Sequence, residues 1–189
     1  MKKLQGDIKK HLDAFRKRME ANYNSEGAIQ GKRYLKSPFK FFGTSLPFAD
    51  KLAKEFRRTN KDAGRELVFE LTERLWSSEY HDEKRLGLRI LQYHPEYLDL
   101  TVMPLLERML EQSRGWDLVD DISIHIVSVV LEKDKKTFEY LKRWSWSENF
   151  WMRRASLISQ ILLFRKNEGD KNFVLLTKDL ICFTIILSI

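Results

Sequence analysis

A chain of 189 residues that is 43% hydrophobic and 32% charged can bury one sizeable core, which excludes a disordered or low-complexity segment. Lys and Arg total 34 against 27 acidic residues, and this net charge of +7 favours a polyanionic partner without naming one. The one cysteine, Cys182, excludes an internal disulfide and any cysteine-based metal cluster, and it fits a reducing, cytoplasmic setting.

Leu4, Ile8, Leu12, Phe15 and Met19 recur at three to four residues and predict an amphipathic helix that ends over Asn22 to Ser25. Asp7 and the Lys9-Lys10-His11 run leave no apolar segment behind Met1-Lys2-Lys3, so a signal peptide is not expected. The stretch from Gly31 to Thr44 is basic, aromatic and punctuated by Pro38 and Gly43. Such a loop can lay Tyr34, Lys36, Lys40 and Thr44 along phosphates and sugars, or its rings can pin it on a core. Helices are predicted near 48–58 and 62–76, the second with Asp62 as its N-cap.

An internal repeat follows. His81, Trp116 and Trp151 head similar segments at a constant offset, since 116 − 81 and 151 − 116 are both 35, and Leu91, Ile126 and Ile161 then share one column. Weaker helices lie between, near 99–112 and 134–143. A paired-helix unit repeating at this length predicts an all-α chain, an α-solenoid of HEAT-like antiparallel helix pairs, over one domain spanning 1–189. A curved array presents one concave face, and the residues that open each inner helix would lie on or near it: Lys84, Arg85, Trp116, Asp120, Trp151 and Arg154.

Trp116 and Asp120 stand four residues apart, on one face of a helix. An aromatic plate beside a carboxylate suits a cationic, partly apolar ligand. A packing tryptophan with Asp117, Asp120 and Asp121 complementing a helix dipole reads the same residues without a ligand. His11, His81, His94 and His125 are scattered and show no metal-ligand spacing, so no metal and no cofactor are expected. The closing segment from Leu180 to Ile189 is apolar but shorter than the about 20 residues a membrane span needs.

Trp116-Asp117-Leu118-Val119-Asp120, preceded by Tyr34 to Thr44 and followed by Asn149-Phe150-Trp151-Met152-Arg153-Arg154-Ala155, resembles the AlkD-type DNA alkylation repair family, the HEAT-like-repeat alkylpurine DNA glycosylases. The resemblance extends from the first helix to about Phe164. It implies an all-α solenoid with a concave basic groove that grips double-stranded DNA, and excision of N3- and N7-alkylated purines without deep base flipping. On the matching positions Asp120 is the catalytic carboxylate, Trp116 the wall against the deoxyribose and Arg154 a contact to the backbone at the lesion. Tyr34, Lys36, Lys40, Thr44, Lys84, Arg85, Trp151 and Arg153 then contact DNA. The family carries a further helix pair with a second site tryptophan, which is not found after Leu176, and the end over about 177–189 is atypical. A missing repeat would leave an apolar face through which an otherwise monomeric chain dimerises. A catalytically weak or inactive DNA-binding or scaffold array is the alternative to an enzyme.

Overall fold

The computed structural model of the chain describes residues 2–165. Every regular element among them is helical, and the one strand-like feature is an isolated parallel bridge between Lys40 and Tyr80. The chain divides into two compact units, Met1–Tyr97 and Leu98–Ile189.

In the first unit, α1 (Lys2–Ala21) buries Ile8, Phe15 and Met19, the stripe expected of it. Helix α3 (Leu46–Thr59) has Pro47 in its opening turn, where no backbone donor is lost, and buries Ala49, Leu52, Ala53 and Phe56. Helix α4 (Arg65–Trp76) packs against α1 and against α5 (His81–Gln92), and α5 packs in turn against α3. Leu86, Leu88, Ile90 and Leu91 of α5 are almost wholly buried, each contributing about 2 kcal/mol. The α4–α5 contact is close because Gly87 lacks a side chain. A Cβ there would stand 3.1 Å from both Leu75 Cβ and Thr72 O.

Two expectations are corrected in this unit. Residues read as the end of one helix and the start of a loop form a further helix, α2 (Ser25–Tyr34), which buries nothing. It is made by its ends. Asn24 accepts from Gly27 N at 3.0 Å, and the C-terminus closes with Ser37 N donating to Lys32 O and Lys36 N to Arg33 O. Asp62 is not the cap of α4 either; Gly64 holds that place in extended backbone.

The second unit begins with a 3₁₀ turn at Leu100–Val102, followed by α6 (Met103–Gln112). Helix α7 (Trp116–Ile122), a π-helical turn (Ser123–Val127) and α8 (Ser128–Lys133) follow without a break. The wide turn has a cause in the sequence. Leu118, Ile122, Ile126 and Val130 repeat every four residues, as do Val119, Ser123, Val127 and Leu131, and all are buried. An α-helix turns every 3.6 residues, so a strict spacing of four drifts off the core face, and one wider turn restores it. Helices α9 (Thr137–Ser145) and α10 (Phe150–Ile158) pack together, α10 also meets α6 and α7, and α11 (Ile161–Arg165) rests on α8.

The architecture is thus all-α and solenoid-type, with helices stacked on their neighbours within each unit. Helices α5 and α7 begin at His81 and Trp116, as the repeat requires, and α10 begins one residue before Trp151. No helix among the described residues is long and apolar enough to cross a membrane. The atypical end over 177–189, with Cys182 and the expected apolar face, lies outside the described residues.

Candidate functional site

Trp116 opens α7 after Gly115, and Asp120 follows one turn later. Asp117, in the first turn, is the buried acid that complements the helix dipole. Asp120 does something else. Its carboxylate faces Arg154 on α10, whose Nε donates to Oδ1 and Nη2 to Oδ2, both at 2.8 Å. The two side chains keep only 20% and 28% of their exposure, so the pair is sheltered but reachable. Hydrogen bonding to Asp120 raises the Arg154 pKa above its ordinary value against the opposing effect of burial. Trp116 stays 39% exposed at the head of the same helix.

Helix α10 is placed for this contact by its own start. Asn149 accepts from Trp151 N at 2.9 Å as the N-cap, and its Nδ2 donates to Glu111 O at 3.3 Å, tying the turn to the end of α6. Arg153, expected on DNA, turns back instead, with Nη1 donating to Ser147 O at 2.6 Å and Glu148 O at 2.9 Å. Trp151 is half-buried, edge to face with Phe150 at 5.0 Å between ring centres. The structure therefore brings Trp116, Asp120 and Arg154 onto two packed helices. A guanidinium fork fixes the orientation of the carboxylate one helical turn from a partly exposed indole.

In the first unit the loop that ends at Thr44 is held by an acid from the start of α5. Asp82, buried in the first turn of α5, accepts from Phe42 N and Thr44 N at 2.9 Å each and from Thr44 Oγ1 at 2.6 Å. Backbone bonds from Lys40 N to Glu79 O and from His81 N to Lys40 O complete the tie. Phe41 stacks on His81 at 4.6 Å and Phe42 on Tyr80 at 4.1 Å. Arg16 lies 4.7 Å from the Tyr80 ring centre and forks onto Glu83, which raises the Arg16 pKa. Gly43, at φ +72°, presses its backbone on α2, where a Cβ would stand 2.2 Å from Asn24 O. Phe41, Phe42 and Thr44 are thus the anchor, and Lys36 and Lys40 stay exposed.

Of the loop's expected contacts, Tyr34 is 73% exposed and Lys36 is exposed, while Lys40 is exposed and paired with Glu79 at 2.9 Å. Thr44 spends its hydroxyl hydrogen on Asp82. Arg85 is half-buried on α5. Lys84 differs from the expectation, because its ammonium points into the protein, donates to Trp76 O and lies 4.5 Å from the Phe39 ring centre and 5.3 Å from that of Trp76. Burial lowers its pKa to about 8, partly offset by Glu83. Asp82 and Glu83 were not legible as anchors, since their partners lie 38 to 67 positions away. Among the described residues no group of three His, Cys, Asp or Glu side chains could hold a metal ion.

A family model for DNA alkylation repair enzymes matches residues 15–181. The fold is similar to the solved structure of a protein from Enterococcus faecalis described as a predicted DNA alkylation repair enzyme, at a TM-score of 0.74 and 19% identity, covering 88% of this chain and 76% of that one. No curated protein matches the chain.

Proposed function

Because the chain belongs to the DNA alkylation repair enzyme family, we propose that it is a DNA glycosylase that hydrolyses the N-glycosidic bond of cationic N3- and N7-alkylpurines in duplex DNA. The observation that carries this reading is the placement of Trp116 and Asp120 one turn apart on α7, indole partly exposed and carboxylate held at a fixed orientation.

An N3- or N7-alkylpurine already carries positive charge, so the electron pair of the breaking C1′–N9 bond neutralises the base as it leaves, and no general acid is needed. Positive charge then grows on the deoxyribose, as in glycoside cleavage. A carboxylate about 4 Å from that charge, at an effective dielectric near 20, contributes about 4 kcal/mol, or on the order of a thousandfold in rate. Asp120 supplies it and orients the water whose oxygen bonds to C1′ while its proton is lost to solvent or to the carboxylate. Trp116 adds about 1 kcal/mol as a ring beside a cationic sugar.

Recognition in this reading does not draw the base into a deep pocket. The duplex backbone is gripped by exposed or half-buried groups of each unit: Tyr34, Lys36, Lys40 and the half-buried Arg85 in the first, and the half-buried Trp151 in the second, while Arg153 is left out because it folds back on Ser147 and Glu148. Lys84 is not carried forward, since its ammonium is buried. Lys36 has the strongest support. It sits at φ 47°, the left-handed position after a helix where glycine is favoured, and a lysine held under such strain points to a use for its side chain.

The test is release of methylated base from N7-methylguanine duplex, with Asp120→Asn alongside. Release falling about a thousandfold in the variant while duplex binding persists supports the enzyme. A native chain that binds the duplex and releases nothing sinks it in favour of a binding module.

A further inference from the structure

The Asp120–Arg154 fork raises a difficulty for a charge-stabilising carboxylate, and resolving it assigns Arg154 a further role. A carboxylate with a guanidinium across both oxygens presents a nearly neutral pair to anything beside it. The thousandfold acceleration attributed to Asp120 needs an uncompensated negative charge.

We infer that Arg154 is a switch between two anions, bound to Asp120 in the free protein and to a DNA phosphate at the lesion, so that Asp120 is unmasked only where a cation takes the guanidinium's place. This inference rests on the glycosylase reading. The same planar fork that closes on a carboxylate closes on a phosphate, and a duplex presents phosphates at high density. Both side chains retain enough exposure, 20% and 28%, for an incoming phosphate to reach the guanidinium. A guanidinium stays protonated with either partner, so Arg154 arrives at DNA as a full cation.

The exchange has different consequences on ordinary and on damaged DNA. On an unmodified duplex, moving Arg154 to a phosphate leaves Asp120 bare among further negative charges, and the exchange is opposed. At a cationic alkylpurine the charge of the lesion replaces Arg154 beside the carboxylate, and the exchange completes. Asp120 thereby repels undamaged DNA as well as stabilising the reacting sugar, and the substrate must be a phosphodiester-linked lesion. A free cationic nucleoside lacks the phosphate that draws Arg154 away.

The experiment compares binding of the native chain, Asp120→Asn, Arg154→Gln and the double variant to two probes: an unmodified duplex, and a duplex with a protonated pyrrolidine in place of one deoxyribose. Asparagine keeps an oxygen for Arg154 and so preserves the packing of α7 on α10. Asp120→Asn is expected to bind the unmodified duplex about three- to tenfold tighter than the native chain, with the gain abolished or reversed on the pyrrolidine duplex. Arg154→Gln should weaken binding more in the Asp120→Asn background than in the native one. Asp120→Asn binding the unmodified duplex no tighter overturns the switch. A second measurement needs no variant: replacing single phosphates around an N7-methylguanine by uncharged methylphosphonates should slow release at least tenfold at one position, and an even, small effect at all positions also overturns it. Base release without tighter variant binding removes the switch alone. Tighter binding without base release leaves the exchange and removes the glycosylase.

Discussion

Arg154 on α10 closes on both carboxylate oxygens of Asp120 on α7, at 2.8 Å each, across 34 positions of sequence. The contact joins two helices of the second unit that head successive repeats, so the candidate site is built from the stacking itself. Two side chains that the sequence offers singly become one object in the fold.

Lys36 carries a conformational cost. A residue with a Cβ in the left-handed region is disfavoured by about 1 kcal/mol relative to glycine, and Lys36 sits there at φ 47°. Lys36→Gly is therefore expected to raise stability by about 1 kcal/mol in urea denaturation while weakening duplex binding and lowering its salt slope by about one. Unchanged stability would remove the strain argument, and unchanged affinity would remove the phosphate contact.

The loop tie makes a stability prediction. Asp82→Ala removes the acceptor of three hydrogen bonds and strands the buried Phe42 amide, at a cost of about 3 kcal/mol. The thermal midpoint should drop by on the order of 10 °C. Gly43→Ala should do comparable damage, because a side chain there meets Asn24 O and Ala28 N at 2.2 and 2.4 Å. A midpoint within about 2 °C of the native value in both variants would refute the tie.

His94 sets a pH limit on the first unit. Its Nδ1 donates to Ile90 O at 2.7 Å, and its ring stacks on Tyr97 and tilts against Phe56. Burial holds its pKa below the usual 6.5, the Ile90 carbonyl opposes that shift, and Arg57 and Glu96 act in opposite directions on it. The folded protein therefore binds this proton more weakly than the unfolded chain. The contribution is fully present above pH 6.5 and is lost as pH falls through the lowered folded value. Burial also lowers the His11 pKa, and that ring meets Phe56 at 5.0 Å, so His11 acts in the same direction. Unfolding midpoints followed from pH 7.5 to 5 should decline, and His94→Gln should flatten the decline. Equal slopes in both proteins would clear His94.

Much of this fold was legible because it rests on periodicity. The stripe from Ile8 to Met19 and the 35-residue offset between the starts of α5 and α7 are one-dimensional signals, and helices stacked on near neighbours preserve them. Helix α2 was not legible, because a helix that buries nothing leaves no apolar stripe and is written only in its caps. Lys84 misled for the opposite reason. Lysine at the start of an inner helix reads as solvent-facing, whereas the Trp76 carbonyl, the Phe39 and Trp76 rings and the charge of Glu83 make its interior position tolerable. At the candidate site the residue types and their spacing along α7 were readable. The pairing of Asp120 with Arg154 was not, since nothing local in either segment encodes its partner.

The loop from Phe42 to Thr44 is gripped through its main chain. Asp82 takes two of its amides, Asn24 N donates to its Phe42 carbonyl at 2.9 Å, and Gly43 contributes no side chain at all. Such a mounting is indifferent to what the neighbouring outward positions carry. Mutations at Tyr34, Lys36 or Lys40 can therefore accumulate, be selected or be reversed without first being compensated in the core. The chain holds a surface that evolution can rewrite on a frame that it cannot.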